Sequence, residues 1–361
     1  MINEERLLNT FLDLVRIDSP SGEEATIVGD LQKRLLDLGL SVETDAMKNV
    51  LAKLPGEGAP ILLAAHMDTV APGIGIQPVV KEGIVYSDGT TILGADDKSG
   101  IAVILELLQA ILEHGLRHPP LEVVITVQEE MGLAGAKGLD TARLQAKLGV
   151  SFDGGDAPGT IIVSAPSHNT VTAVIHGKAA HSGGEPEQGI NAVVIAAHAL
   201  VDMPIGRIDA ETTANIGLIR GGTARNVVPD RVELMGEARS RDPSKLENQT
   251  VRMVQALEDA AGSYGGTVDV EVVRAYDGYT LTASDPVVST LMSSCRAVGV
   301  EPVLVPSGGG SDANIYNALG LQVVNLSTGM RKPHTREEHI AIADMVTCAE
   351  IALAFVCGLA P

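Results

Sequence analysis

The amino-acid sequence predicts an α/β protein in which a doubly wound, mainly parallel sheet carries an inserted α+β domain. Short apolar runs alternate with amphipathic helical patterns up to about residue 165, which is typical of buried parallel strands covered by helices. Near Thr170 the pattern changes to strands in which polar and apolar residues alternate. After Leu281 the helix–strand alternation returns, so the middle segment interrupts the sheet domain.

The first part of the chain contains helices and strands with clear ends. Two amphipathic helices precede the sheet, and Gly39 is a typical C-terminal stop for the second of them. Three bounded apolar runs have the length of buried strands. The predicted elements are the helices Glu4–Arg16, Glu23–Leu38 and Ser99–Ala110, and the strands Ile61–Ala65, Val123–Val127 and Val150–Phe152.

The middle and last parts of the chain differ in pattern. The predicted elements are the strands Thr170–Ile175 and Arg231–Glu237, the helices Ile190–Val201 and Ser244–Ala261, and finally the strand Gln322–Leu326. If His334, which follows that last strand, shares a site with His66, the middle segment must be an insertion. We therefore predict a sheet domain of residues 1–168 and 279–361 and an inserted domain of residues 169–278.

The composition indicates a globular protein. The 361 residues are 45% hydrophobic and 20% charged, and the net charge of -20 argues against nucleic acid or an anionic membrane as partner, because both bind clustered Lys and Arg. The start, Met1–Glu5, is acidic rather than signal-like, and the apolar stretch Ile340–Leu359 contains Asp344 and Glu350, which favours a packed helix over a membrane span. We therefore expect a cytoplasmic protein.

Acidic and imidazole side chains follow the predicted strands. In open α/β sheets, the ligand crevice lies outside the carboxyl ends of the strands. Six carboxylates gathered there would repel one another and would resist burial unless cations compensated them. The simplest compensation is a pair of divalent metal ions. The eight residues are His66, Asp68, Asp96, Asp97, Glu129, Glu130, Asp153 and His334.

Two of these motifs have alternative interpretations. His66 could be an ordinary core histidine, but Asp68 is well placed to accept the second ring N–H of a ligating His66. An Asp in Gly94-Ala95-Asp96-Asp97-Lys98-Ser99-Gly100 could simply cap the helix that follows. We predict that Asp96 bridges two cations, while Asp97 or Ser99 caps the helix.

The adjacent pair Glu129-Glu130 suggests two different roles. Successive side chains at a strand end normally point in different directions, so one glutamate can ligate a metal ion while the other takes a proton from the attacking water. The alternative, a solvated pair of charges, is disfavoured because the pair ends one of the most apolar strands of the chain.

Taken together, these motifs resemble the M20 family of di-zinc peptidases and deacylases over nearly the whole chain. The resemblance implies that Glu129 is the general base. It also implies two zinc-ligand sets that share Asp96, namely His66, Asp96 and Asp153 for one ion, and Asp96, Glu130 and His334 for the other. Co²⁺ or Mn²⁺ could replace Zn²⁺, because the same nitrogen and oxygen ligands accept all three.

The inserted segment carries further motifs that resemble this family. Gly177-Lys178-Ala179-Ala180-His181-Ser182-Gly183 is similar to the family's lid motif, and the resemblance implies a lid and dimerisation domain whose His181 stabilises the oxyanion in a partner subunit of a homodimer. Asn226 and Arg239 lie in segments similar to those that bind a substrate carboxylate, a task suited to the guanidinium fork. The alternatives are a turn residue for Asn226 and a surface salt bridge for Arg239.

Within the family, the chain is most similar to the peptidase T branch of tripeptide aminopeptidases, which act on short peptides. It departs from that branch at Ser307-Gly308-Gly309, where the tripeptidases have an Arg before Gly-Gly-Thr-Asp. A carboxypeptidase or N-acyl-amino-acid deacylase therefore remains an alternative. A non-catalytic metal-binding protein is a remote one, because Glu129 and all five ligand residues are present.

Overall fold

The computed structural model describes residues Met1–Ala360, which form two compact units. The first unit contains Met1–Ser164, Thr280–Ser307 and the residues from Ser311 onward, and the second contains Ala165–Tyr279 with Gly308–Gly310. The first unit is built on a large sheet whose centre is parallel, and the second on a smaller antiparallel sheet. The predicted fold class is confirmed.

The helices are, in chain order, α1 (Glu4–Val15), α2 (Ala25–Asp37), α3 (Ala95–His114), α4 (Ala134–Lys137), α5 (Ala192–Asp202), α6 (Pro243–Ser263), α7 (Pro286–Ala297), α8 (Asp312–Ala318) and α9 (Ile342–Gly358). The strands are β1 (Ser41–Thr44), β2 (Val50–Leu54), β3 (Ile61–His66), β4 (Pro78–Lys81), β5 (Ile84–Ser87), β6 (Leu121–Thr126), β7 (Leu148–Gly155), β8 (Thr160–Ala165), β9 (Ser167–His176), β10 (Gly206–Arg207), β11 (Thr212–Gly221), β12 (Arg231–Ser240), β13 (Thr267–Tyr276), β14 (Tyr279–Thr280), β15 (Val303–Pro306), β16 (Gln322–Arg331) and β17 (His339–Ala341).

The centre of the large sheet consists of four parallel strands in the order β6-β3-β7-β16. Ile61 at the start of β3 lies opposite Leu121 of β6 and Leu148 of β7, so the carboxyl ends of these strands lie at one edge of the sheet. Every residue of β3 and β6 is buried. This burial explains why their sequences are continuous apolar runs and do not alternate.

Antiparallel strands extend the parallel centre of the large sheet on both sides. On one side β2 and β1 extend the sheet beyond β6, and on the other β17, β5 and β4 extend it beyond β16. The hairpin of β4 and β5 was not predicted, because its strands have only four residues each and Val79 and Val80 of β4 are exposed. Short half-exposed strands lack a clear hydrophobic period.

The second unit contains the antiparallel sheet β10-β11-β12-β9-β13 with α5 and α6 packed on it. Buried and half-buried residues alternate along β9, and Val171, Ala173 and Ile175 point into the core. The alternation noted in the sequence near Thr170 is the pattern of a sheet with one covered face.

The C-terminal apolar stretch forms α9, which packs against α3 and α7 and buries Met345, Phe355 and Val356. Among the described residues, no helix combines the length and the hydropathy needed to cross a bilayer. The prediction of a packed helix in this stretch is confirmed.

Candidate active site

The carboxyl ends of the parallel strands bring the predicted ligand residues together. His66 is the last residue of β3, Asp153 lies in β7, and Glu129 follows β6 by three residues. Three groups of side chains each place one ligand atom per residue within 4.8 Å of the others. These groups are His66, Asp96 and Asp153; Asp96, Glu130 and His334; and His66, Glu129 and Glu130.

Asp96 lies between the two histidines. Its Oδ1 is 3.0 Å from His66 Nε2, and its Oδ2 is 3.2 Å from His334 Nε2. His334 Nε2 is also 2.6 Å from Glu130 Oε1. One carboxylate therefore turns each of its oxygens toward a different imidazole, which is the arrangement a bridging ligand requires.

Asp68 fixes both His66 and the backbone of the glutamate pair. The ring Nδ1 of His66 lies 3.1 Å from the Asp68 carbonyl oxygen and 3.3 Å from its Oδ1. The Asp68 carboxylate accepts hydrogen bonds from the backbone N–H groups of Glu129 at 2.9 Å and Glu130 at 3.2 Å, and from the Ser21 hydroxyl at 2.7 Å. Asp68 is thus completely buried with its charge satisfied by donors.

The imidazoles of the cluster are strongly perturbed. Burial opposes the charged form of His66, but contacts with Asp68 and Asp96 raise its pKa well above the usual value. Contacts with Asp96 and Glu130 raise the pKa of His334 to about 10. Burial opposes ionisation of Asp96, yet contacts with His334 and His66 hold its pKa well below the usual range. A divalent cation bound to the same atoms would displace these imidazole protons.

The pKa values of Glu129 and Asp153, unlike that of Asp96, are raised. Burial raises the pKa of Glu129 well above its usual value, and the charges of Asp153 and Asp312 raise it further against the effect of His66. Burial also raises the pKa of Asp153, and the charge of Asp96 adds to this effect. The cluster therefore holds more carboxylates than the two imidazoles can compensate.

The donor set of the cluster fits a pair of divalent metal ions. Three carboxylates and two imidazoles form two sets of three that share Asp96, with the ligand atoms of each set within 4.8 Å of one another, and Zn²⁺ is bound by such nitrogen and oxygen ligands. The excess of buried carboxylate supplies the electrostatic reason, because cations relieve the repulsion that burial intensifies.

Asp97 has a structural role next to the bridging position. It is completely buried, its Oδ2 accepts the His66 backbone N–H at 3.3 Å, and its Oδ1 accepts the Gly100 N–H at 3.2 Å. A Cβ on Gly100 would lie 2.5 Å from that same Oδ1, so the close approach requires glycine. Asp97 therefore serves as the helix cap, whereas Ser99 Oγ lies 2.8 Å from Thr328 Oγ1.

Three buried ionisable residues beside the site were not predicted. Lys98 donates from Nζ to the Ile17 carbonyl oxygen at 2.7 Å, and burial lowers its pKa to about 8. Asp312 accepts from Thr126 Oγ1 at 2.5 Å, and burial raises its pKa to about 6. Glu338 accepts three backbone N–H groups, and burial raises its pKa to about 7. Of the three, only Lys98 lies in a motif named in the sequence analysis, namely Gly94–Gly100.

The other predicted site residues lie in the second unit. His181 is exposed, and its Nδ1 accepts the backbone N–H groups of Gly183 and Gly184 at 3.2 and 3.0 Å. Asn226 lies in a turn beside it, where its backbone carbonyl oxygen accepts the backbone N–H of Ser182 at 3.1 Å. The structure thus brings His181 and Asn226 close together within this unit.

Arg239 lies near the end of β12 and is partly buried. Its Nη2 is 2.9 Å from Glu237 Oε2, and His168 Nε2 lies 3.3 Å from the same oxygen. The salt bridge considered as an alternative for Arg239 is therefore present. Gly310 belongs to this unit too, and a Cβ there would lie 2.4 Å from the Tyr276 ring, so the glycine loop approaches an aromatic ring closely.

Comparison with known proteins adds to this geometry. Peptidase family M20/M25/M40 matches residues 62–357. An uncharacterized protein of Bacillus subtilis, YqjE, is 44% identical over 99% of both chains. The crystal structure of aminopeptidase PepT from Bacillus cereus is 43% identical with a TM-score of 0.90, and that of a tripeptidase from Staphylococcus aureus is 41% identical with a TM-score of 0.95; each comparison covers 99% of both chains.

The family resemblance read from the motifs is confirmed by these matches. The matched residues, 62–357, contain the whole cluster, from His66, its first residue in the sequence, to His334, its last. The two solved structures share the fold along almost the entire chain. The chain belongs to peptidase family M20/M25/M40.

Proposed function

We propose that this chain is a di-zinc aminopeptidase that hydrolyses short peptides and prefers tripeptides. The observation that carries the proposal is the position of Asp96, whose two oxygens face His66 and His334 at 3.0 and 3.2 Å. Similarity above 40% identity to an aminopeptidase and a tripeptidase supports the choice of substrate class.

In this proposal, two ligand sets that share Asp96 hold the metal ions. They are His66, Asp96 and Asp153 on one side and Asp96, Glu130 and His334 on the other, and each set has its ligand atoms within 4.8 Å. When bound, the ions supply Lewis-acid polarisation of the scissile carbonyl and lower the pKa of water to about 7. Elemental analysis must determine whether the bound ions are Zn²⁺, Co²⁺ or Mn²⁺.

Glu129 is the proposed general base. It is buried beside His66 and Glu130, and its raised pKa suits a group that accepts a proton and later releases it. It would take a proton from the attacking water and pass it to the leaving amine. Asp68 would assist by orienting His66 through Nδ1 and by holding the Glu129 backbone N–H.

The proposed recognition residues are His181, Asn226 and Arg239. The exposed ring of His181 is held through Nδ1, so its Nε2 would be available to donate to a developing oxyanion. Arg239 is oriented by its bond to Glu237, and its guanidinium has further N–H groups for a substrate carboxylate. We further propose that residues 169–278 form a lid and dimerisation domain of a homodimer. A cytoplasmic location stays a prediction that cell fractionation would test.

We predict two divalent ions per chain and complete loss of peptidase activity on chelation. The reason is that the buried carboxylates need cations both for compensation and for catalysis. Elemental analysis of the purified active protein measures the stoichiometry and the identity of the metal. Adding back Zn²⁺, Co²⁺ and Mn²⁺ separately to the chelated protein is the control. Active protein without divalent metal would contradict the proposal.

Glu129→Gln should lower kcat by on the order of 10²–10⁴ while leaving the metal content intact, which is the usual effect of losing a positioned general base. Glu130→Gln is the matched comparison, because it changes the adjacent side chain that contacts His334. It should weaken metal binding instead. Near-normal turnover of the Glu129 variant, or equal metal loss in both, would show that the roles are assigned wrongly.

Mixing Glu129→Ala and His181→Ala chains should restore activity if His181 acts in a partner's site. Each mixed dimer then contains one site with an intact Glu129 and an intact His181. Equal mixing makes about half the dimers mixed, so recovery should reach roughly a quarter of wild-type activity. The separate variants are the controls. Failure to recover after verified subunit exchange would exclude action across an interface.

Ala-Ala-Ala should be cleaved with a higher kcat/KM than Ala-Ala, Ala-Ala-Ala-Ala or N-acetyl-alanine. If Arg239 and Asn226 hold the terminal carboxylate, chain length determines whether the first peptide bond reaches the metal ions, and a misplacement of about 1 Å can cost roughly 10²-fold. Arg239→Ala should raise KM for Ala-Ala-Ala more than for its C-terminal amide.

The matched control for this test is Arg231→Ala. Arg231 lies at the other end of β12 and pairs with Glu233, two residues away, as Arg239 pairs with Glu237. The Arg231→Ala variant should keep the wild-type preference for Ala-Ala-Ala over its C-terminal amide. Fastest turnover of N-acetyl-alanine would identify a deacylase, and release of the C-terminal residue would identify a carboxypeptidase.

A further inference from the structure

The side chain of Glu338 binds the loop that leads into Asp96. Its Oε2 accepts the backbone N–H groups of Leu93 and Gly94, each at 2.8 Å, and its Oε1 accepts the backbone N–H of Asp96 at 3.0 Å. The residue is only 1% exposed. One buried carboxylate therefore joins two parts of the chain that lie more than 240 residues apart in sequence.

The same carboxylate is linked to the second histidine of the cluster. Glu338 follows His334 by four residues, and its backbone N–H donates to the Thr335 carbonyl oxygen at 3.1 Å, which closes the turn between them. His334 Nε2 in turn lies 3.2 Å from Asp96 Oδ2. Asp96 is thus held through its side chain by His334 and through its backbone by Glu338, and these contacts form a closed ring.

The large sheet anchors this ring. Glu338 immediately precedes β17, where Ile340 pairs with Met330 of β16 and with Val85 of β5. The loop that Glu338 binds ends at Gly94, the N-cap residue of α3, which has a φ of +73°. Because glycine has no side chain, Gly94 cannot cap the helix with a side-chain hydrogen bond. The rigid strand therefore supplies, through Glu338, the acceptors for backbone donors at the entry to α3.

We propose that Glu338 is a positioning residue that sets the distance between Asp96 and His334 and thereby the affinity of the metal centre. The inference rests on the proposed function, in which these two residues share a metal ion. Glu338 itself binds no metal ion in this proposal. Its effect is exerted through the backbone of Asp96, as with other partners that orient metal ligands.

The charge and the two equivalent oxygens of Glu338 both matter. Three N–H donors need three acceptor positions, and a carboxylate supplies them on two oxygens. In Glu338→Gln, the amide NH₂ would face at least one backbone N–H, so the loop could not keep all three bonds. We expect the Asp96 carboxylate to shift relative to His334, although neither ligand residue has been changed.

The experiment compares Glu338→Gln with Glu122→Gln. Glu122 is a matched control, because it is also buried and accepts the backbone N–H groups of Gln145 and Ala146 at 2.8 and 2.9 Å. It lies near the start of β6, whereas Glu129 follows the other end of that strand. Zn²⁺ affinity is measured by calorimetry, the ligand geometry by the absorption spectrum of the Co²⁺ form, and stability by the Tm of the metal-free protein.

Glu338→Gln should bind Zn²⁺ roughly 10- to 100-fold more weakly than wild type, the range typical of lost ligand-orienting partners, with an altered Co²⁺ spectrum. Glu122→Gln should lower Tm and leave both metal readouts unchanged. Wild-type Zn²⁺ affinity and an unchanged Co²⁺ spectrum in Glu338→Gln would overturn the inference, even if its Tm fell.

The outcomes also separate this inference from the proposed function. If the wild-type protein binds no Zn²⁺, the proposed function fails. If the wild-type protein and the Glu338→Gln variant both bind two Zn²⁺ ions with equal affinity, only the inference about Glu338 fails. Should Glu338→Gln not fold, Glu338→Asp keeps the charge but withdraws the oxygens by one methylene. It should then show the same weakening of Zn²⁺ binding, and wild-type affinity would overturn the inference.

Discussion

The accumulation of carboxylates at the carboxyl ends of β3, β6 and β7 is the constraint on which the rest of the structure depends. Burial opposes ionisation of each acid, and each neighbouring negative charge opposes it further. The raised pKa values of Glu129 and Asp153 express this conflict, and the lowered value of Asp96 shows that imidazoles relieve it only locally. A fold that keeps such a cluster requires both cations and many hydrogen-bond donors.

The backbone provides most of those donors. Asp68 accepts the N–H groups of the glutamate pair, Asp97 accepts those of His66 and Gly100, and Glu338 accepts three from the loop before Asp96. Each acid therefore holds the backbone of a segment of the cluster in place through hydrogen bonds from peptide N–H groups. In the metal centre that we propose, these surrounding acids would help to position the ligands, and their negative charge would favour cation binding.

In the second unit, neighbouring groups fix the orientation of Arg239 and His181. Arg239 is compensated by Glu237, with His168 beside the same oxygen, so its guanidinium is oriented before any substrate binds. His181 is held by two backbone N–H groups of its own loop. Preorganised donors of this kind lose little conformational entropy on binding, which is consistent with the substrate-recognition role that we propose for both residues.

The sequence by itself determined the α/β class and the family, because buried parallel strands are continuous apolar runs and acidic and imidazole residues recur at or near the ends of several of them. It also named the residues of the proposed metal centre, which the structure brings within 4.8 Å of one another in groups of three. It could not rank Asp97 against Ser99 as the cap, nor reveal Glu338 and the pairing of Arg239 with Glu237. Those features depend on contacts such as that between residues 338 and 93, which no local pattern encodes. Only the tertiary structure decided them, because a buried carboxylate finds its donors through the packing of distant segments and not through its neighbours in sequence.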